Sequence, residues 1–209
     1  MKYYIDLKRL ISEDDDPEQE VGLNTLRMRP HFIYNSLMSI YYLCDSDPKK
    51  AQQAALDFST YLRCGFDALI ADELVPFTDE LEHAKAYLGV EKARVGDALD
   101  FEIDAAVTNF KIPALTLQPI LEKTVIHGVD PESGPLHIKL HTSELPDEFQ
   151  ICVEDNGPRY EPSHENEPVL RLDSLRKRLK NMENSKLDIG PRNGIGTIVT
   201  IHIPKNAIE

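Results

Sequence analysis

The chain has 209 residues, enough for one medium or two small domains with cores of their own. Its formal net charge is −13, from 23 basic and 36 acidic residues. That balance leaves no basic stripe to neutralise phosphates, and it excludes a nucleic-acid or acidic-membrane partner. Cys44, Cys64 and Cys152 are odd in number and far apart, without Cys-x-x-Cys spacing, so neither a disulfide frame nor a zinc site is signalled. A reducing cytoplasm fits this usage. No apolar run approaches the ~18 residues of a membrane span, no signal peptide precedes Asp6, and no internal repeat is visible.

In chain order, Lys2–Ile11 is a mixed segment that suits a short strand or helix. Ser12–Glu20 (SEDDDPEQE) is acidic and reads as a solvated linker or a helix N-terminus. Leu26, Ile33, Leu37, Ile40 and Cys44 then recur at sevens, fours and threes, which places them on one stripe of an α-helix. His31 projects away from that stripe, with Asn35 one turn on beside it. A neutral imidazole nitrogen on a wet face is a competent nucleophile, although a lone exposed histidine is more often simply solvated. Pro30 either stands in the first turn of the helix or kinks a helix that runs through it.

Asp45-Ser46-Asp47-Pro48 marks a turn, and Ala55, Phe58, Leu62, Phe66 and Leu69 give a second helical stripe. Two amphipathic helices with a short connection form a hairpin too small to bury both seams alone, so a four-helix bundle made by two chains completes it. A third helical segment runs from Thr78 to about Val95 and holds Leu81, Tyr87, Leu88, Glu91 and Arg94. From Ala98 the texture changes. Leu99–Ile103, His137–His141, Phe149–Val153 and Ile198–Ile203 alternate as strands. Pro113 and Pro119 limit a helix within Ile112–Val129 to the part after Leu117, and Leu170–Met182 is amphipathic and basic. Strands interleaved with helices point to an α/β sandwich distinct from the helical hairpin. His137 and His141 share a strand face but lack a carboxylate or cysteine at metal-ligand spacing. They read as an exposed face, and His83, His164 and His202 carry no special reading.

Pro30-His31-Phe32-Ile33-Tyr34-Asn35-Ser36-Leu37 resembles the phospho-acceptor motif of the LytS-like sensor histidine kinases. Leu62-Arg63 is similar to a pair late in that family's second helix, and the segment from Thr78 to its connector. The later half resembles the GHKL ATP-binding domain shared by gyrase, MutL and histidine kinases. Glu122-Lys123-Thr124-Val125-Ile126-His127-Gly128 is similar to its Glu-Asn-Ala-x-x-His-Gly helix. Asp155-Asn156-Gly157 resembles the first glycine box, and Gly194-Ile195-Gly196-Thr197 the last. The matches follow the family's order along nearly the whole chain. The resemblance implies an α+β protein, a dimerising helical hairpin followed by a GHKL-type (Bergerat) sandwich. It divides the chain into a short N-terminal segment (1–20), a dimerisation and phospho-acceptor region (21–96) and an ATP-binding domain (97–209).

The same resemblance implies catalytic roles for His31 (the acceptor), Asn35 and Glu122. It implies nucleotide contacts for Lys123, His127, Gly128, Asp155, Asn156, Gly157, Gly194, Gly196 and Thr197, with the aspartate accepting from the adenine amino group. ATP and Mg²⁺ are the implied cofactors. The metal-binding asparagine, however, is Lys123 here, and an ammonium has donors only, so no metal ligand stands at that position. Pro158-Arg159 replaces a second glycine of the first box. The family's Gly-x-Gly-Leu-x-Asn lid reads Val169-Leu170-Arg171-Leu172-Asp173-Ser174, without either glycine, and Glu161, Glu165 and Glu167 precede it.

The expectation is therefore a dimeric histidine-kinase module of two-component signalling with weakened or lost Mg-ATP binding. The alternatives are an active kinase that autophosphorylates His31 and passes phosphate to a response regulator, and a GHKL serine kinase of the anti-sigma type. Expected partners are a second copy, a response regulator of the LytTR type and a separate sensor protein, since almost nothing precedes the acceptor helix. The expected place is the cytoplasm, with any membrane association through a partner.

Overall fold

A computed structural model describes residues 30–70, 74–130, 134–158, 170–182, 184–192 and 195–207. Helix α1 (Pro30–Ser46) and helix α2 (Pro48–Ile70) form an antiparallel hairpin broken only at Asp47. The break is chemical as well as geometric. The Asp47 carboxylate accepts the backbone N–H of Lys50 at 3.1 Å, an N-cap, and Pro48 has no N–H to satisfy in the first turn. Strand β1 (Leu74–Pro76) leads into helix α3 (Phe77–Val95), which ends at Gly96 with φ +64°. Strand β2 (Leu99–Ala105) follows, then the short β3 (Lys111–Pro113), which pairs antiparallel with β1.

Helix α4 (Gln118–Gly128) starts where Pro119 allows it, in the first turn. Strands β4 (Leu136–Glu144) and β5 (Glu148–Asp155), helix α5 (Leu170–Lys180) and strands β6 (Lys186–Pro191) and β7 (Thr197–Pro204) complete the chain. The five-stranded sheet has the order β2-β4-β5-β7-β6, with β2 and β4 parallel and the other pairs antiparallel.

The alternation read from the sequence sets the two sheet faces. Leu136, Ile138 and Leu140 of β4, Ile151 and Val153 of β5, and Val199, Ile201 and Ile203 of β7 are all buried. They share one core with Ile120, Leu121 and Val125 of α4 and Leu172, Leu175 and Leu179 of α5. Intervening residues make the other face polar. There His141 lies 3.9 Å from Glu154, Arg192 pairs with Glu154 at 2.9 Å, and Cys152 Sγ lies 3.2 Å from the Thr200 hydroxyl. His202 bridges Glu148 and Asp188 at 2.9 and 3.3 Å, and its hydrogen bond holds the Glu148 carboxyl below its ordinary pKa. No group of three metal-ligating side chains occurs among the described residues.

Two expectations need correction. The stripe of α2 was drawn through Ala55, Phe58, Leu62, Phe66 and Leu69. The buried line instead runs through Ala51, Ala54, Phe58 and Tyr61, while Ala55 is exposed and Phe66 is 50% exposed. Leu69's side chain lies outside the described ones. The reason is α3, which returns along α2 within the same chain and covers that face. The α1 stripe splits similarly: Ile33 and Ile40 pack against the core, whereas Leu37 and Cys44 face outward. Leu26 and the acidic segment 12–20 lie outside the described residues. The strands β1, β3 and β6 had no alternation long enough to read.

Candidate functional site

Asp155 is the last residue of β5, and three chain turns converge on it. It is 6% exposed, and its Oδ1 accepts the backbone N–H of Gly157 at 2.9 Å and of Thr197 at 3.2 Å. Among the described residues no hydrogen bond reaches Oδ2, which leaves an acceptor for a ligand's donor. Burial pushes this carboxyl above its ordinary pKa, and the two N–H donors act against that shift. Asn156 is used structurally: its Oδ1 accepts from the His137 N–H at 2.6 Å, and its Nδ2 donates to the Pro135 carbonyl at 3.1 Å.

The glycines here are a matter of space. A Cβ on Gly196, whose φ is +96°, would stand 1.9 Å from the Asp155 carbonyl oxygen. A Cβ on Gly128, at the end of α4, would meet Leu136 at 2.5 Å, and one on Gly157 would meet Gly128 Cα at 3.1 Å. The end of α4, the loop after β5 and the start of β7 are thus held backbone to backbone around one carboxylate. The Oδ2 of Asp155 is the kind of acceptor that an amino-bearing ring such as adenine needs. Lys123 is half-buried on α4, and an ammonium has no lone pair to give a metal ion, so this side chain does not fit as a Mg²⁺ ligand. His127 is exposed in the last turn of α4. Gly194 and residues 159–169 lie outside the described residues, and so do the side chains of Leu170, Arg171, Asp173 and Ser174.

His31 is exposed in the first turn of α1 as described. The Asn35 carboxamide nitrogen lies 3.2 Å from both ring nitrogens, so its hydrogen can go to whichever one lacks a proton. Turning the amide over would instead set its oxygen there, an acceptor for whichever ring nitrogen carries the proton.

Sequence reading missed the groups that hold α4 in place. Glu80 of α3, 3% exposed, accepts the backbone N–H groups of Leu115, Thr116 and Leu117 at 2.5, 2.9 and 3.0 Å. Arg178 of α5 donates to the Ala114 carbonyl and to the Leu115 carbonyl, the latter at 3.0 Å. The two side chains clamp the turn that leads into α4, where Leu115 is left-handed at φ +57°. Gln118 was missed as well. Its Nε2 donates to the Tyr61 hydroxyl at 2.9 Å and to Glu122 at 2.8 Å, so Glu122, 5% exposed, is fixed from one turn back. The four-residue spacing of Gln118 and Glu122 could have shown that pair. Nothing in the sequence could have shown Tyr61.

A hairpin with an exposed histidine, joined to a mixed sheet with a buried aspartate among glycines, defines a protein of the histidine-kinase class. Comparison with known proteins agrees. Residues 20–99 match the family described as Histidine kinase. The chain is 34% identical to YwpD of Bacillus subtilis over 194 residues, covering 88% of this chain and 69% of that one. It is 33% identical to the sensor histidine kinase YpdA of Escherichia coli over 138 residues, covering 65% of this chain and 24% of that protein. It is 27% identical to the sensor protein LytS of Oceanobacillus iheyensis over 200 residues, with 88% and 33% covered. Among solved structures, the histidine kinase domain of the Erythrobacter litoralis EL346 blue-light activated histidine kinase superposes with a TM-score of 0.54 at 16% identity. That superposition covers 85% of this chain and 96% of that one. The chain belongs to the LytS-like sensor histidine kinase family, with the GHKL catalytic fold. It spans about a quarter to a third of the length of the sensor kinases YpdA and LytS.

Proposed function

We propose that this chain is a dimeric histidine-kinase module of two-component signalling that keeps the acceptor histidine and the adenine end of the nucleotide site but binds Mg-ATP weakly. The observation that carries this reading is the contrast on α4. Its Gly128 end packs close to Gly157 beside Asp155, while Lys123 stands where the resemblance calls for an oxygen ligand to Mg²⁺. Asp155 and Thr197, with Gly128, Gly157 and Gly196, hold the purine. Lys123 pairs with a phosphate oxygen as a point charge, without octahedral geometry. When bound, ATP supplies a phosphoryl group. His31 offers a neutral ring nitrogen as the nucleophile, Asn35 orients the ring, and Glu122 is the carboxylate of the site. A response regulator of the LytTR type receives the phosphoryl group, and a separate sensor protein supplies the input at the membrane.

The experiment is a calorimetric titration with ATP, with and without Mg²⁺. The expected result is weak binding that depends little on the metal. Tight binding only with Mg²⁺, together with brisk labelling of His31, would overturn the weak-binding part of the reading and make this an active kinase. The contact of Asn35 with both nitrogens of the exposed His31 is the observation that favours that second reading.

A further inference from the structure

Four side chains form a line from the acceptor helix to α4. Phe32, the residue after His31, packs on the Tyr61 ring with centroids 4.8 Å apart. The Tyr61 hydroxyl accepts from Gln118 Nε2 at 2.9 Å, and the same nitrogen donates to Glu122 at 2.8 Å. Tyr61, Gln118 and Glu122 are 1%, 8% and 5% exposed. An amide nitrogen carries two hydrogens, one for each of these acceptors, so Gln118 cannot turn without breaking one bond. The Tyr61 ring is itself fixed by His83 at 4.9 Å and Tyr87 at 6.1 Å between centroids, so its hydroxyl is aimed by packing. Hydrogen bonds among buried groups are worth most when every member is in place.

We propose that Tyr61 and Gln118 are positioning residues for Glu122, so that the acceptor hairpin itself sets the carboxylate of the nucleotide helix. The inference rests on the reading that Glu122 serves the phosphoryl-transfer site. A displacement of α1 reaches Glu122 through Phe32, Tyr61 and Gln118. With α2 docked, the amide of Gln118 is held at both hydrogens and Glu122 keeps a fixed donor. With α2 withdrawn, the amide loses one acceptor and its donor to Glu122 is no longer held in one orientation. The hairpin position is thereby reported inside the nucleotide domain without any contact between His31 and the site.

The test is NMR on the full chain without nucleotide, labelled at glutamine side-chain amides and glutamate carboxyl carbons. Tyr61→Phe removes only the hydroxyl. It is expected to shift the Gln118 amide protons and the Glu122 carboxyl carbon, and to speed solvent exchange of the amide about tenfold. Gln118→Met, similar in shape but without a donor, is expected to move the Glu122 carbon in the same direction. Phe66→Leu, on the outward face of α2, is expected to leave both signals in place. An unmoved Glu122 signal in Tyr61→Phe, or an equal movement in Phe66→Leu, would overturn the proposal. A separate titration of the native chain with ATP keeps the two readings apart: tight, strictly Mg²⁺-dependent uptake overturns the weak-binding reading, while the NMR result stands or falls on its own.

Discussion

His83 is 4% exposed on α3, packed at a tilt against Tyr61, and its Nε2 has no hydrogen-bond partner among the described residues. Burial lowers its pKa from 6.5 to about 4. The folded chain therefore keeps this ring neutral where the unfolded chain protonates it. The contribution to stability is complete above pH 6.5 and is lost as pH falls toward 4, at about 1.4 kcal/mol per pH unit. Urea unfolding at about pH 7 and about pH 5 is expected to show this fall, and His83→Gln is expected to flatten it. A variant that keeps the native pH slope would assign the dependence to another group. Gly196 makes a related point about single residues. In the sequence it is one glycine of a short Gly-x-Gly string, and only the 1.9 Å approach of an added Cβ to the Asp155 carbonyl shows why a glycine is required there.

At the scale of elements, α1 and α2 leave a large apolar face outside the chain's own core. Tyr34, Leu37, Met38 and Tyr41 of α1 are 51%, 49%, 40% and 65% exposed at helical spacing, and Leu56, Phe66 and Ile70 of α2 are 64%, 50% and 84% exposed. Burying a leucine-sized side chain contributes about 1.5–3 kcal/mol, so a few per chain suffice for a stable dimer. We expect light scattering to show a dimer at micromolar concentration, and Leu37→Asp with Tyr41→Asp to give a monomer of unchanged helix content. A native monomer would count against the hairpin as the interface. The connector α3 does more than join the parts. Through Glu80 it holds three backbone N–H groups of the turn into α4, and Arg63 of α2 pairs with its Glu82 at 2.5 Å.

For the whole molecule, the proposed weakening of Mg-ATP binding is assigned to both Lys123 and Val169-Leu170-Arg171, so their repair is not expected to be additive. Lys123→Asn alone is expected to restore little Mg²⁺ dependence, because the glycines of the lid are still missing. Lys123→Asn with Val169→Gly and Arg171→Gly is expected to bring Mg-dependent ATP binding by calorimetry. It should also give acid-labile label on His31 that His31→Gln abolishes. If the single substitution achieves this by itself, the lid does not limit binding.

The sequence by itself determined the family, the helices from α1 to α5, and the strands β2, β4, β5 and β7. It also carries the short motifs around His31, Asp155 and Gly196, and a lysine at position 123. These are local: period, turn chemistry and short motifs lie within a few residues of chain. The turn at Asp45–Pro48 and the start of α4 after Leu117 were legible for that reason. The tertiary structure alone decided which face of α2 is buried, because α3 competes for it. It alone brought Tyr61 to Gln118 and Glu80 to the turn before α4, contacts that span 57 and 35–37 residues. A hydrogen bond over such a distance leaves no periodic trace, since each partner satisfies its own local pattern and the pairing follows only from how the helices pack.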